Sequence, residues 1–287
     1  VNRFVLLFGG EGGVDSYPTS VSDVYQDLCG QGIFGGKGIY DLRPFHGALD
    51  GALPPGAVLS HDLIEGIIAG AGFLNDVTLY DGHPRTARAW LTRLHRWTRG
   101  DWQLLPCLLG AWRVKLRALD RYKLLDNLRR SVVPIVQLCF LIGGLWARRP
   151  SAIALALAPW WLPMLLSIGR LRLSDCVRFF LRLALLPAEA AALADAICRT
   201  LWRALVSRRR LLEWVTADDA DRQKGEMARW PLYTASALLL PALLASALRG
   251  PAWAIAAAAL AALWCLAPAW ARRLECPLDP PDALSDE

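Results

Sequence analysis

Residues 93–103, RLHRWTRGDWQ, concentrate cations and indole rings in a short stretch. These eleven residues hold three Arg, one His and two Trp around a Gly-Asp pair. A buried core disfavours such guanidinium groups, because each must be paired and hydrogen-bonded or it costs several kcal/mol. A solvated surface disfavours the indoles. The combination is typical of a site for a ligand that is both polyanionic and flat-faced, such as a nucleotide diphosphate beside a sugar.

A second candidate stretch, LSHDLIEG at 59–66, contributes a carboxylate, Asp62. An inverting sugar transfer needs a carboxylate that takes the proton from the acceptor hydroxyl as its oxygen attacks the anomeric carbon. It also needs cations near the departing diphosphate, a role suited to Arg93 and Arg96. An indole such as Trp97 would fix the acceptor sugar's angle of approach. In this order the two stretches resemble the general-base Asp and the Gln-x-x-Arg-Trp motif of processive inverting glycosyltransferases, and this resemblance implies an inverting glycosyl transfer site.

Each stretch alone also has a simpler interpretation. Asp62 and Glu65 fit an N-cap and capping box for a helix starting at Leu63, where a carboxylate is favoured without any catalysis. The arginines of 93–99 fit a solvated or lipid-facing basic helix face. The occurrence of both stretches, followed directly by apolar segments, favours the catalytic interpretation.

The composition indicates a membrane protein. Hydrophobic residues make up 54% of the 287 residues, and the mean hydropathy is +0.29. Four apolar windows have lengths near the roughly 17–25 residues that a helix needs to cross the hydrocarbon layer. We therefore expect two transmembrane hairpins, the alternative being buried helices of a large soluble core. The windows are 131–147, 152–169, 230–248 and 251–271.

The basic residues flank these apolar windows and predict the topology. By the positive-inside tendency, residues 1–130, the segment 170–229 and the tail face the cytoplasm. The net charge of +6 then fits anionic lipid better than nucleic acid, for which the chain has no motif. Residues 171–229 place Arg at helical spacing, which favours helices lying in the membrane plane over a cytosolic hairpin. The opening residues do not have the pattern of a signal peptide.

Cysteine and histidine usage predicts no metal site. The seven Cys are scattered singly and the four His are dispersed, so the Cys are interpreted as small apolar residues in a reducing compartment.

The first 112 residues read as part of an α/β domain. Strand-like runs, RFVLLF and DVTLY, alternate with helical stretches such as DLIEGIIAGAG, with Gly and Pro between them. About a hundred residues make a small core, so we expect half of a domain. The predicted organisation is 1–112 half-domain, 113–130 basic juxtamembrane segment, 131–170 transmembrane hairpin, 171–229 interfacial or cytoplasmic helices, 230–271 transmembrane hairpin and 272–287 linker tail.

Five sequence blocks carry a resemblance to a known family. SVSDVYQDLCGQGIFGGKGIYDLRPF, LSHDLIEG, HRWTRGDWQLLP, DNLRRSVVPI and LVSRRRLLEW together resemble the glycosyltransferase region of bacterial cyclic β-1,2-glucan synthases. The resemblance implies a GT-A-like half-domain followed by a polytopic membrane region in the bacterial inner membrane, with the catalytic part cytoplasmic. It also implies glucose transfer from UDP-glucose to a growing β-1,2-glucan, with a phosphorylase-like domain downstream in the parent chain.

The resemblance also assigns site residues. The family's carboxylate base corresponds to Asp62, and its Gln/Arg-x-x-Arg-Trp element corresponds to Arg93, Arg96 and Trp97. His61 stands where many processive relatives have Glu.

Three more residues enter as candidates. The resemblance places Lys37 and Tyr40 of FGGKGIYD near the acceptor path, although ordinary turn chemistry explains this Gly-rich loop equally well. The family resembles self-priming enzymes, and Tyr17, on a Gly/Pro loop, is a candidate for carrying the growing chain. A priming residue elsewhere is the alternative.

The chain lacks the Asp-x-Asp with which such enzymes hold UDP and a divalent cation. We therefore expect the Mg²⁺ or Mn²⁺ ligands to lie outside it, the chain to be part of a longer protein, and the chain alone to be inactive. Two other functions remain open: another processive polysaccharide synthase, making a cellulose-like or chitin-like polymer, and a non-catalytic glucan channel or scaffold.

Overall fold

The chain folds as an assembly of helices in the computed structural model. The structure describes residues 2–8, 24–36, 38–59, 62–74, 77, 83–166, 169, 171–213, 230–248 and 250–277, with the backbone alone over 230–238. The helices are α1 Arg3–Phe8, α2 Val24–Cys29, α3 Leu42–Leu49, α4 Asp62–Ala69, α5 Ala87–Gln103, α6 Leu105–Leu108, α7 Ala118–Trp146, α8 Pro150–Leu166, α9 Leu173–Trp202, α10 Trp230–Ala247 and α11 Pro251–Glu275. A π-helical turn, Arg203–Ser207, continues α9.

The predicted α/β half-domain of GT-A type is wrong. The described part of the chain is about 74% helical and holds no strand or sheet; Asn2 and Pro277 form an isolated antiparallel bridge. The run RFVLLF is α1, and the Leu7 carbonyl near its end accepts a hydrogen bond from Arg178 Nε of α9 at 3.0 Å. The Asn2 side chain caps α1 by accepting from Val5 N at 2.9 Å. Of DVTLY only Val77 lies within the described residues.

Helix α9 is the centre of the assembly and packs against α1, α5, α7, α8, α10 and α11. Pro187 interrupts its hydrogen-bond ladder, because proline has no N–H to offer the carbonyl of Leu183 one turn earlier. The fully buried Trp264 of α11 supplies the missing donor, with Nε1 3.0 Å from Leu183 O. The carbonyl that Pro187 leaves without a donor in α9 thus accepts a hydrogen bond that holds α11 in place.

Two apolar clusters line opposite parts of α9. One joins it to α1, α5 and α11, with Phe4, Trp90 and Leu185 among its buried members. The other joins it to α7, α8, α10 and α11 around Leu186 and Trp264. The first cluster holds α5, the helix that carries Arg93, Arg96 and Trp97, against the other helices.

Helices α7 and α8 form a tight hairpin. A Cβ placed on Gly144 would lie 2.9 Å from Ile153 Cγ1, so glycine is what permits the two helices to approach so closely. The turn between them places Arg148 in the left-handed region, with a φ of 54°.

Among the described residues, α7 and α11 are long and apolar enough to cross a membrane, with mean hydropathies of 1.5 and 1.8 over their most apolar windows. Only 33% and 28% of those windows is buried inside the protein. A core helix of a soluble protein would be mostly buried, so these helices are suggestive of membrane association. Helix α8, on the second predicted window, is shorter. Two predicted spans thus coincide with candidate membrane helices, and the other two stay predictions.

A third apolar cluster carries the helices nearest to the candidate site. Ile64 of α4 packs with Leu104, Cys107 and Leu124, which belong to the end of α5, to α6 and to the start of α7. Helix α3 packs in turn against α4. The site helix α4 is therefore mounted on α6 and α7.

Candidate active site

Asp62 is the first residue of α4 and, with Glu65, places negative charge in its first turn. The partial positive charge of a helix N-terminus stabilises such carboxylates. The Asp62 carboxylate also lies directly against Gly36, since a Cβ on Gly36 would be 2.6 Å from Oδ2. Gly36 has a φ of +84°, which L side chains rarely adopt. Glycine at this position lets the loop backbone reach the carboxylate.

The segment that carries Gly36 is fixed from two sides. Gly32 N donates to Ala71 O at 2.8 Å, just beyond the end of α4. From α7, the buried Lys123 ammonium donates to the carbonyls of Gln31 and Gly32 at 3.4 and 3.2 Å. The ammonium also lies 4.9 Å from the centroid of the Tyr25 ring. This coordination replaces part of the hydration that the ammonium loses on burial.

Arg93, Arg96 and Trp97 lie on one face of α5, and all three are partly buried. The guanidinium carbon of Arg93 is 4.7 Å from the centroid of the Trp97 ring, in a cation–π contact across one helical turn. The face that includes Trp90 and Leu91 packs in the first apolar cluster. Trp90 and Trp97 are about two turns apart and lie on the same side of α5, so the Arg93–Trp97 pair borders the packed face of the helix.

Gln103 connects this face to the segment before Asp62. The residue is 3% exposed, and at 3.6 residues per turn it lies on the same side of α5 as Arg96. Its Oε1 accepts from Leu59 N at 2.7 Å, and its Nε2 donates to Leu211 O at 2.9 Å. The structure thus brings the end of the arginine helix to within three residues of the candidate base.

Arg99 is 4% exposed, so the simpler interpretation of a solvated basic face fails at this residue. Its guanidinium donates to the carbonyls of Leu211 and Glu213. Burial, and then the neighbouring charge of Arg203, lower its pKa from the ordinary value. Sequence reasoning missed the structural role of Arg99 and Gln103, although their spacing of four residues on a helix is a local signal of a shared face.

The turn that these side chains hold has a strained backbone. Arg208 and Arg210 adopt left-handed conformations, with φ of 49° and 57°, which cost of order 1 kcal/mol or more each outside glycine. Arg203 adds two contacts, to Arg210 O at 2.7 Å and to Glu213 Oε2 at 3.0 Å. Residues 205–213 of the LVSRRRLLEW block are thereby fixed against α5.

His95 joins α5 to α9 through Asp195, at 2.8 Å. Burial lowers the pKa of His95, and the hydrogen bond and charge of Asp195 offset this only in part. Burial alone would raise the pKa of Asp195, but its hydrogen bonds from Arg199 and His95 outweigh this effect and lower it. The geometry alone would suggest an ion pair, but the lowered pKa of His95 favours a neutral imidazole N–H that donates to the carboxylate.

Of the remaining predicted site residues, Tyr40 lies within the described part of the chain. Tyr40 follows the Gly36 segment, is 55% exposed, and has its ring centroid 4.5 Å from that of Phe45. Three predicted residues fall outside the described part of the chain: Tyr17, Lys37 and His61.

No group of three or more His, Cys, Asp or Glu side chains that could hold a metal ion occurs within the described ranges.

Comparison with known proteins identifies a relative. No family model matches the chain. The chain is 34% identical, over 93% of its length, to Cyclic beta-(1,2)-glucan synthase NdvB of Rhizobium meliloti (strain 1021). The match covers 10% of that protein, so the chain spans about a tenth of its relative's length. The resemblance expected from the sequence is confirmed, and it supports a relationship to glucan-synthesising glycosyltransferases.

Proposed function

We propose that this chain supplies the proton-accepting and acceptor-binding part of an inverting glucosyltransferase, which transfers glucose from UDP-glucose to a growing β-1,2-glucan. The observation that carries the proposal is the 34% identity to a cyclic β-(1,2)-glucan synthase over 93% of the chain. The geometry around Asp62 supports it, because a carboxylate at a helix N-terminus beside a close glycine backbone is poised to meet a sugar hydroxyl.

Each residue has a distinct task in the proposed reaction. Asp62 accepts the proton of the acceptor hydroxyl as the oxygen attacks the anomeric carbon and the UDP diphosphate leaves. Arg93 and Arg96 offset the charge that grows on the diphosphate, and guanidinium groups do this with two parallel hydrogen bonds. The Trp97 ring, against which Arg93 rests at 4.7 Å, orients both the cation and the sugar. His61, Lys37 and Tyr40 are proposed to line the substrate path, and Tyr17 to prime the chain.

The longer protein supplies the rest of the proposed machinery. We place it in the bacterial inner membrane as a multi-pass protein with its catalytic part in the cytoplasm, consistent with the candidate membrane helices α7 and α11. A phosphorylase-like domain of the parent chain is the proposed partner downstream. The Mg²⁺ or Mn²⁺ that neutralises the UDP diphosphate is proposed to bind in the parent protein beyond this chain, which alone is expected to be inactive.

The proposal is tested by Asp62→Asn in the longer enzyme that contains this chain. The amide keeps the shape of the side chain but accepts no proton, so kcat should fall by about 10²–10⁴-fold while UDP-glucose binding is retained. Glucan formation from labelled UDP-glucose gives kcat, and calorimetry gives donor affinity.

Glu65→Gln is the matched control, because it removes a carboxylate from the same helical turn. Its kcat should change little. If Asp62→Asn keeps more than about a tenth of the activity, or if both variants lose activity equally, Asp62 is a helix-stabilising residue and the proposed base is wrong.

A further inference from the structure

A cavity of about 710 Å³ opens beside α3, and none of its lining residues belongs to α5. Its walls are α3, the loop at 50–55 that follows it, and the turn at 111–113 after α6. Three aromatic and three polar side chains set its chemistry. They are Tyr40, Phe45 and Trp112, and His46, Asp50 and Arg113.

The Tyr40 and Phe45 rings of this cavity do not pack in the apolar clusters. Helix α3 has no buried residue, and the Tyr40 ring is 55% exposed while it rests on Phe45 at an interplanar angle of 31°. On the opposite wall Trp112 packs in part against the third apolar cluster, which fixes the position of the indole. Two aromatic walls therefore face a common space.

The lining fits a neutral, hydroxyl-rich ligand. The volume lies within the roughly 300–1,000 Å³ of small-molecule sites. The C–H faces of pyranose rings are apolar and pack on aromatic rings, while their hydroxyls both donate and accept hydrogen bonds. Asp50 offers acceptors, Arg113 offers donors, and His46 offers both. The charges of Asp50 and Arg113 oppose each other, which disfavours a polyanion such as a nucleotide diphosphate, and an acyl chain would leave both groups desolvated without a partner.

The cavity lies close to Asp62. Gly36, whose backbone touches the Asp62 carboxylate, is four residues before Tyr40, a distance of at most about 14 Å along the chain. Helix α3, which forms one wall, packs against α4, which begins at Asp62. A chain of a few sugars bound in the cavity would thus be long enough to cover this distance toward the carboxylate.

We propose that this cavity is a subsite for the acceptor, binding a short β-1,2-linked glucose oligomer whose far end reaches Asp62. This inference rests on the proposed function for the identity of the sugar, and on the lining residues for the site itself.

The test is a titration of the intact chain, in lipid nanodiscs, with a short linear β-1,2-linked glucose oligomer, followed by saturation-transfer NMR. Nanodiscs are needed because glucoside and maltoside detergents would compete for the cavity. Tyr40→Leu, which removes the ring but keeps an apolar side chain, should weaken binding about tenfold, the loss expected for one stacking surface. Arg113→Gln is a second variant that leaves the aromatic walls intact and should also weaken binding.

Tyr122→Leu is the matched control, since Tyr122 is 54% exposed against 55% for Tyr40 and lies outside the cavity lining. The Tyr122→Leu variant should bind the β-1,2-linked oligomer with the same affinity as the unmodified chain. Absence of binding, equal binding of an α-1,4-linked glucose oligomer, or unchanged affinity in both Tyr40→Leu and Arg113→Gln would overturn the subsite. Because the titration contains no UDP-glucose, its result is independent of the Asp62→Asn experiment. If Asp62 proves not to be the base, the oligomer can still bind in the cavity. If the oligomer does not bind, Asp62 can still be the base.

Discussion

Replacing Gln103 by Met tests whether α5 holds the segment that precedes Asp62. Gln103 is 3% exposed, and its amide makes two contacts over long sequence separations, to Leu59 N at 2.7 Å and to Leu211 O at 2.9 Å. Met is similar in volume and apolar, so the change removes the hydrogen bonds with little change in packing.

The expected loss of stability depends on which hydrogen bonds Leu59 N and Leu211 O keep after the substitution. Leu211 O keeps its hydrogen bond from Arg99 Nη2 at 3.0 Å, so little is lost there. The Leu59 N–H is left without its acceptor, and a donor unsatisfied away from water costs about 1–3 kcal/mol. Gln103→Met should therefore lower the free energy that protects the Leu59 amide by about this amount, which corresponds to roughly 5- to 150-fold faster hydrogen exchange.

Hydrogen exchange of the chain in nanodiscs, read by mass spectrometry over peptides that include Leu59, measures the effect. Gln137→Met is the matched control, because Gln137 is also buried, at 5% exposure, and donates to Ala156 O at 2.8 Å between α7 and α8. The control should leave exchange at Leu59 unchanged. If Gln103→Met changes that exchange by less than about twofold, which is under half a kcal/mol, the link between α5 and the segment before Asp62 is refuted.

Two further predictions concern α9. Leu183 O accepts from the Trp264 indole at 3.0 Å because Pro187 has no N–H to donate to it. Trp264→Phe should therefore cost about 1–3 kcal/mol more stability in the chain with Pro187 than in the Pro187→Ala variant, where the alanine N–H can bond to Leu183 O. Equal losses of thermal stability in the two chains would contradict this. Burial raises the pKa of Glu189 from its ordinary 4.5 to about 7, against the opposing charge of Arg182. The folded pKa exceeds the unfolded one, so this group's contribution to stability is greatest below about pH 4.5 and is lost as pH rises through about 7. In the Glu189→Gln variant, thermal stability should fall less between about pH 5 and about pH 8 than in the unmodified chain. If the fall in stability is the same in both chains, Glu189 is not its cause.

Patterns within one element were predictable from the sequence. The spacing of four residues between Arg93 and Trp97 predicts a shared helix face, and the two side chains are in contact. The helix expected to begin at Leu63 begins at Asp62, a difference within the usual uncertainty of helix ends. Such features depend on 3.6-residue periodicity and local capping, which the sequence carries directly.

Features that depend on distant partners were not predictable in this way. RFVLLF is a short apolar run that periodicity alone cannot assign to strand or helix; Phe4 and Phe8, one turn apart, pack in the cluster with α5 and α9. Lys123 reads as one cation of a basic juxtamembrane segment, yet it is buried against carbonyls about ninety positions earlier. No local pattern encodes such a partner, because its position is set by how the helices assemble.

A polar stripe on α7 connects the candidate membrane helix to both parts of the site. Lys123, Asn127 and Ser131 follow one another at intervals of four residues and therefore lie on one face. Asn127 Nδ2 donates to Asp101 Oδ1 at 3.0 Å, and Ser131 Oγ accepts from Trp102 Nε1 at 2.9 Å. The same face that holds the Gly36 segment through Lys123 thus also holds the end of the arginine helix.

The mounting of both motifs on one helix has a mechanical consequence for the proposed reaction. The stripe from Lys123 to Ser131 spans about 12 Å of a helix that rises 1.5 Å per residue, and the same helix continues through its candidate membrane-crossing window. A helix is stiff over this length, so the Gly36 segment and the end of α5 are held at a fixed height relative to that window. In the reaction proposed above, each sugar would then be added at the same height along α7.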